Sequence, residues 1–231
     1  YPVDMEFALN ISKSGKFVIN LLQCRPLQVG GAGIRVDLPE IPEDKTFFHL
    51  NGGTMGGEYY QEIDAVLRID PKLYYELPYN QKPIIARVTG EINQKYRDGG
   101  KVVMLLVPGR IGTSSPELGV PVKFAEICNM SIACEVAYEG GGYMPELSYG
   151  SHFFQDLVEA DIFYASIFEN KGSTLHYAPA FFEAGKSILS DLVADDLSEA
   201  ITDIVKVYDV EGQGLKIVSD ITTGETVCGY F

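Results

Sequence analysis

No two cysteines stand in a CxxC arrangement in this sequence. The four present, Cys24, Cys128, Cys134 and Cys228, are widely separated and read as lying in apolar contexts. That spacing indicates neither a zinc site nor a disulfide framework, and it predicts reduced, buried thiols in a cytoplasmic protein. Cations are scarce too: 18 Lys and Arg against 32 Asp and Glu leave a formal charge of −14. Nucleic acids and anionic membranes are held by basic patches, so the expectation is no nucleic acid and no membrane among the partners. No apolar run reaches the length of a bilayer span, and no signal peptide or initiator Met opens the chain. The expectation is that Tyr1 marks a boundary within a longer protein. Repeats, heptads and low-complexity runs are absent.

What is present begins with a full complement of core residues. A hydrophobic content of 46% over 231 residues can bury one large domain or two small ones. Residues 1–28 read as strand, turn, strand, with Gly15 in the turn and β-branched or apolar residues on either side. Three hydrophilic side chains interrupt them: Glu6 on the first strand, Gln23 and Arg25 near the end of the second. Gln23 and Arg25 are two apart, so a regular strand points both the same way. A carboxylate, an amide and a guanidinium on one side suit a hard cation and an anionic ligand. The same spacing also fits an ordinary hairpin with a salt-bridged edge.

The wording of this segment adds to its spacing. Pro2-Val3-Asp4-Met5-Glu6-Phe7-Ala8, a short turn, and Gln23-Cys24-Arg25-Pro26 resemble the end of the ATP-grasp, or PEP/pyruvate-binding, domain of phosphoenolpyruvate synthases and pyruvate phosphate dikinases. Phe7 replaces the more usual Trp and Cys24 the usual Ala, and neither change removes a functional group. The resemblance covers about 28 of the 231 residues. It implies that Glu6 and Gln23 help hold Mg2+ and nucleotide, that Gln23 and Arg25 face nucleotide and phosphates, and that ATP and Mg2+ are cofactors of the parent protein. It also implies a partner: an upstream ATP-grasp lobe with a phosphate-covering loop and a lysine. No segment of this chain reads as such a lobe, so the chain alone is not expected to turn over ATP.

Residues 29–45 read as a connector, and 46–231 as an accessory domain. A strand at 46–50 leads into a glycine-rich stretch, Asn51-Gly52-Gly53-Thr54-Met55-Gly56-Gly57. No Gly-Lys-Ser/Thr follows it, so it matches a tight structural turn rather than a phosphate loop. A strand is expected over 63–69. Apolar residues at Ile84, Ile85, Val88, Ile92 and Tyr96 predict a helix over 83–97, with Pro83 in its first turn, and Lys101–Val107 reads as a buried strand. Further on, a helix is expected over 151–160, a strand over 161–168, a helical turn over 179–184 and another helix over 195–201. Strands at 204–210 and 215–219 bracket Glu211-Gly212-Gln213-Gly214 as a hairpin, and 221–231 adds a last strand or tail. The expected fold class is α/β, with α+β as the alternative: a mixed sheet with packed helices, preceded by the terminal hairpin.

Two further sites draw notice. The loop after the 101–107 strand carries Gly109, Arg110, Gly112, Thr113, Ser114 and Ser115, and ligands of open α/β sheets bind beyond the carboxyl ends of strands. Free N–H groups at two glycines, three hydroxyls and one arginine suit a phosphate or carboxylate. An ordered loop whose arginine pairs with Glu117 or a carbonyl is the other reading. This stretch and Ser151-His152-Phe153-Phe154 resemble segments C-terminal to the ATP-grasp part of some bacterial phosphoenolpyruvate-synthase-like proteins. Gly150-Ser151-His152 also superficially resembles the phosphohistidine motif of phosphoenolpyruvate synthases. Phe153 and Phe154 stand where that motif has small residues, so a structural His152 capping a helix is the competing reading. Two functions therefore stand: the C-terminal portion of an ATP-dependent phosphotransferase, or a non-catalytic α/β module sensing a small phosphorylated or carboxylate ligand.

Overall fold

The computed structural model describes residues 3–26, 36–98, 100–138, 147–148, 151–169, 172–193 and 197–231. The chain opens with β1 (Val3–Ile11) and β2 (Phe17–Pro26), an antiparallel hairpin closed by Gly15 at φ 77°. Then come β3 (Thr46–Asn51), β4 (Thr54–Met55), β5 (Tyr59–Glu62) and β6 (Ala65–Ile69), followed by α1 (Pro71–Glu76) and α2 (Lys82–Lys95). Next are β7 (Val103–Pro108), β8 (Arg110–Ile111), β9 (Gly119–Val120), β10 (Ile132–Ala137), α3 (His152–Glu159), β11 (Phe163–Phe168) and β12 (Thr174–Tyr177). The chain ends with α4 (Leu189–Leu192), α5 (Glu199–Ile204), β13 (Val205–Asp209), β14 (Leu215–Asp220) and β15 (Glu225–Tyr230).

Three layers result. The middle one is a six-stranded sheet in the order β13-β6-β7-β10-β11-β4, parallel from β6 to β11 and antiparallel at both edges. Its strands are buried on both faces, as parallel strands are. Leu67, Leu105, Ala133 and Tyr164 pack against residues of all five helices. Alternate residues Val66, Met104, Cys134 and Ala165 pack the other way, against Phe48, Ile217 and Cys228 of an antiparallel sheet ordered β12-β3-β15-β14-β5. Both clusters draw on residues between Phe47 and Cys228, and neither uses the opening hairpin.

α2 shows how the sequence sets one of these faces. Pro83 occupies its first turn, where a missing N–H costs nothing. Ile85, Val88, Thr89 and Ile92 then recur at helical spacing and are buried, and Thr89 satisfies its hydroxyl on the Ile85 carbonyl at 2.8 Å. Each fully buried Ile contributes about 1.5–3 kcal/mol relative to exposure.

The α/β expectation holds, and its mixed sheet is present with a second sheet beneath it. The expected hairpin around 211–214 is corrected. β13 pairs with β6 in the middle layer, whereas β14 pairs with β15 and β5 in the outer one, so the turn carries the chain from one sheet to the other. The true hairpin is β14–β15. Its turn is held by the Asp220 carboxylate, which accepts from the Thr222 N–H at 2.7 Å. The buried-thiol expectation holds for Cys134 and Cys228 but not for Cys24 and Cys128, which are exposed. The connector expected over 29–45 lies partly outside the described residues. No helix among them is long and apolar enough to cross a membrane.

Candidate functional site

The hairpin register sets Glu6 directly opposite Gln23. Directly opposed residues of an antiparallel pair share a face, with Cβ atoms about 5 Å apart. Arg25 stands opposite Asp4 in the register, and the side chains of both lie outside the described residues. A bulge follows Glu6: Phe7 pairs with Leu21, leaving Leu22 as the extra residue. The bulge absorbs the break in alternation that the adjacent Leu21 and Leu22 introduce, so that Phe17, Ile19, Leu21 and Cys24 stay in phase. Glu6, Ala8, Asn10, Val18, Asn20 and Gln23 make one, largely polar, face. Met5, Phe7, Leu9, Ile11, Phe17, Ile19 and Leu21 make the other.

Neither face is covered. Met5 is 56% exposed, Phe7 63%, Phe17 67% and Leu22 65%. Soluble proteins rarely leave a contiguous apolar patch of this kind in water unless it is an interaction site. A lone two-stranded hairpin is also marginal in water. As a cation site, the hairpin offers the Glu6 carboxylate and the Gln23 amide. Among the described residues no three His, Cys, Asp or Glu side chains come together as a metal site. Two oxygen donors fit Mg2+ as a partial shell, since that ion is usually held by one or two carboxylates with water and substrate phosphates completing it.

The second candidate site lies at the carboxyl ends of β6, β7 and β10. The glycine N–H groups expected to be free there are not. Gly109 donates to the Val136 carbonyl at 2.8 Å, Arg110 to Leu118 at 2.9 Å and Gly112 to Val120 at 3.1 Å. The Ile111 N–H is taken at 2.6 Å by Glu135. Thr113 closes a turn on Ser115, and Ser114 is exposed. The pairing of β8 with β9, the Val136 carbonyl and Glu135 thus take up the N–H groups from Gly109 to Gly112.

Glu135 is fully buried on β10, and the loop folds around it. One carboxylate oxygen accepts from the Ile111 N–H and from the Ser148 hydroxyl. The other accepts from the Ser148 N–H and the Tyr164 hydroxyl, each at 2.7 Å. Burial raises its pKa, against the opposing pull of these hydrogen bonds. The protonated form is also accommodated: its proton would face the Ser148 oxygen, whose own hydroxyl then donates to the Ile111 carbonyl at 3.1 Å. The anion held by this loop's amides is thus the protein's own.

Tyr74 braces the loop from α1, with its hydroxyl 2.7 Å from the Gly119 carbonyl and 3.1 Å from that of Pro116. Gly119 allows the closest approach: a Cβ there would lie 2.1 Å from the Arg110 carbonyl oxygen and 2.2 Å from its nitrogen. We expect Gly119→Ala to part β8 from β9 at a cost of about 3 kcal/mol, read as a lowered urea midpoint at unchanged slope. An unchanged midpoint would contradict the tight packing of this loop.

His152 is corrected as a cap. The Ser151 hydroxyl caps α3 by accepting from the Phe154 N–H at 3.2 Å, and His152 is exposed at the first helical position. The other two histidines gain partners, His49 with Glu225 at 3.0 Å and His176 with the Thr46 carbonyl at 3.1 Å. Spacing did not single out Glu135, Lys82, Tyr75 or Tyr138, which gather around the loop. A lone carboxylate inside the apolar run Ile-Ala-Cys-Glu-Val-Ala was the available signal for Glu135. Lys82 and the tyrosines had none.

Fold and sites together define a three-layer α/β protein that carries a separate, amphipathic hairpin. No protein-family model, curated protein or solved structure matches the chain.

Proposed function

We propose that this chain is the C-terminal portion of an ATP-dependent phosphotransferase of the phosphoenolpyruvate synthase/pyruvate phosphate dikinase type, acting in the cytoplasm and inactive by itself. One observation carries the reading. The opening hairpin sets Glu6 and Gln23 side by side on a polar face, while the other face leaves large apolar side chains uncovered. A strand pair of that build fits as the closing piece of a larger nucleotide-binding lobe, with its apolar face buried by the lobe and its polar face turned to the ligand. Glu6 and Gln23 would hold Mg2+ and nucleotide, and Arg25 the phosphates. The bound metal would supply charge neutralisation on the phosphates, and the residues here would position it. Exposure of His152 beside the Ser151 cap is compatible with phosphoryl transfer but does not single it out.

ATP turnover tests this. The 231-residue chain should release no phosphate from ATP, whereas the parent protein with its preceding lobe should do so in a Mg2+-dependent way. A parent protein that neither binds nor cleaves ATP would overturn the reading.

A second reading is favoured by the two cores, whose buried residues all lie between Phe47 and Cys228. In it, the region after the hairpin is a ligand-binding module in its own right.

A further inference from the structure

Lys82 is the least expected charge in the molecule. It opens α2, where the helix dipole disfavours a cation, and only 4% of it is exposed. Its ammonium lies over the Tyr74 ring at 4.4 Å and the Tyr75 ring at 5.1 Å. Among the described residues it makes no hydrogen bond or ion pair. Glu117, exposed on the facing loop, acts on it only at a distance. Ring faces return part of the lost hydration of an ammonium, but they accept none of its N–H donors as an oxyanion would. Burial accordingly lowers its pKa.

The surroundings place this ammonium where α/β proteins bind ligands. α2 starts at the carboxyl ends of β6 and β7. Tyr75 reaches from Lys82 to Gly109, whose added Cβ would lie 2.5 Å from the Tyr75 hydroxyl oxygen. Its other neighbour, Tyr138, follows β10 and stacks on Tyr75 at 6.0 Å between ring centres. Arg110, next to Gly109, is half-buried, and its guanidinium makes no ion pair or hydrogen bond among the described residues. Tyr75 thus meets Lys82 on one side and Gly109, the residue before Arg110, on the other, and neither cation has an anionic contact among the described residues.

We propose that this edge binds an oxyanion, the phosphate or carboxylate group of a small molecule, between the Lys82 ammonium and the Arg110 guanidinium. The inference deepens the second reading above and does not depend on the hairpin. The N–H groups from Gly109 to Gly112 are already committed, so recognition at this edge comes from side chains: the donors of Lys82 and the planar fork of Arg110. Tyr74 and Tyr75 cover the Lys82 ammonium, which strengthens its contact with an anion.

The test is an NMR titration of the whole chain at low ionic strength, with inorganic phosphate in one arm and acetate in the other. The expected result is saturable binding with a dissociation constant of the order of 1 mM, with shift changes centred on Lys82, Arg110 and Tyr75. The arm that saturates at lower concentration identifies phosphate or carboxylate as the group bound. Lys82→Met and Arg110→Gln should each weaken binding about tenfold. Phosphate should also slow acylation of the Lys82 amine, a readout that survives if Lys82→Met fails to fold. Shift changes centred elsewhere, or binding untouched by Arg110→Gln, would overturn the site and leave the module reading standing. No saturable binding of either ion up to about 50 mM, some fifty times the expected constant, would overturn the site and remove the support it lends that reading.

Discussion

Replacing Glu135 with alanine is expected to lower the thermal unfolding midpoint by about 10 °C. The carboxylate is fully buried and receives the N–H groups of Ile111 and Ser148 and the hydroxyls of Ser148 and Tyr164. Its removal strands these donors in the core and opens a cavity beside Tyr164, at a cost of about 3–5 kcal/mol. Glu135→Gln should cost less, about 1–3 kcal/mol, because one oxygen remains while the amide nitrogen is set against a backbone N–H. A midpoint within about 2 °C of wild type for the alanine variant would contradict this account.

The same residue is expected to give stability a pH dependence. Burial raises the folded pKa of Glu135 above the unfolded value of about 4.3. Its contribution to stability is therefore fully present below the unfolded pKa and is lost as pH rises through the folded one. Urea unfolding of wild type and Glu135→Gln across that range should show wild type losing stability relative to the variant as pH climbs. A difference independent of pH would show that the folded carboxyl titrates as it does in the unfolded chain.

On the proposed phosphotransferase reading, Glu6→Ala in the parent protein is expected to cut ATP turnover by about 100-fold or more, because a carboxylate holding the metal would act on charge that builds up in the transition state. Gln23→Ala should cost less, since a neutral amide contributes no charge. The distinguishing readout is the Mg2+ concentration for half-maximal rate, which should rise in Glu6→Ala. A residue that only steadies the hairpin would lower the amount of folded enzyme and leave that concentration unchanged. Turnover and metal requirement both equal to wild type would remove Glu6 from the site.

The layers were legible where periodicity was strong. The recurrence of Ile85, Val88 and Ile92 marks α2, and the unbroken run Val103–Val107 marks a strand buried on both faces. What failed to show was pairing. Val205–Asp209 and Leu215–Asp220 flank a glycine-containing turn and look like one hairpin, but turn chemistry does not say which sheet each strand joins. In the hairpin, Leu21-Leu22 breaks alternation, and only the register shows that a bulge rescues it. The loop around Arg110 reads in sequence as a set of free anion-binding groups. The N–H groups from Gly109 to Gly112 are spent on Val136, Glu135 and β8–β9 pairing, contacts that spacing does not reveal. Lys82 was unreadable for the same reason, since a lysine before a proline at a helix start looks like any solvated charge.

Hydrogen exchange over residues 3–26 tests the central claim most directly. In the 231-residue chain the hairpin amides are held by one strand pair with both faces wet, so they should exchange close to the unprotected rate. In the parent protein the same amides should be protected at least about tenfold, and Mg2+-ATP should protect those around Glu6 and Gln23 further. Equal exchange in both proteins, indifferent to Mg2+-ATP, would mean that the hairpin closes no nucleotide-binding lobe.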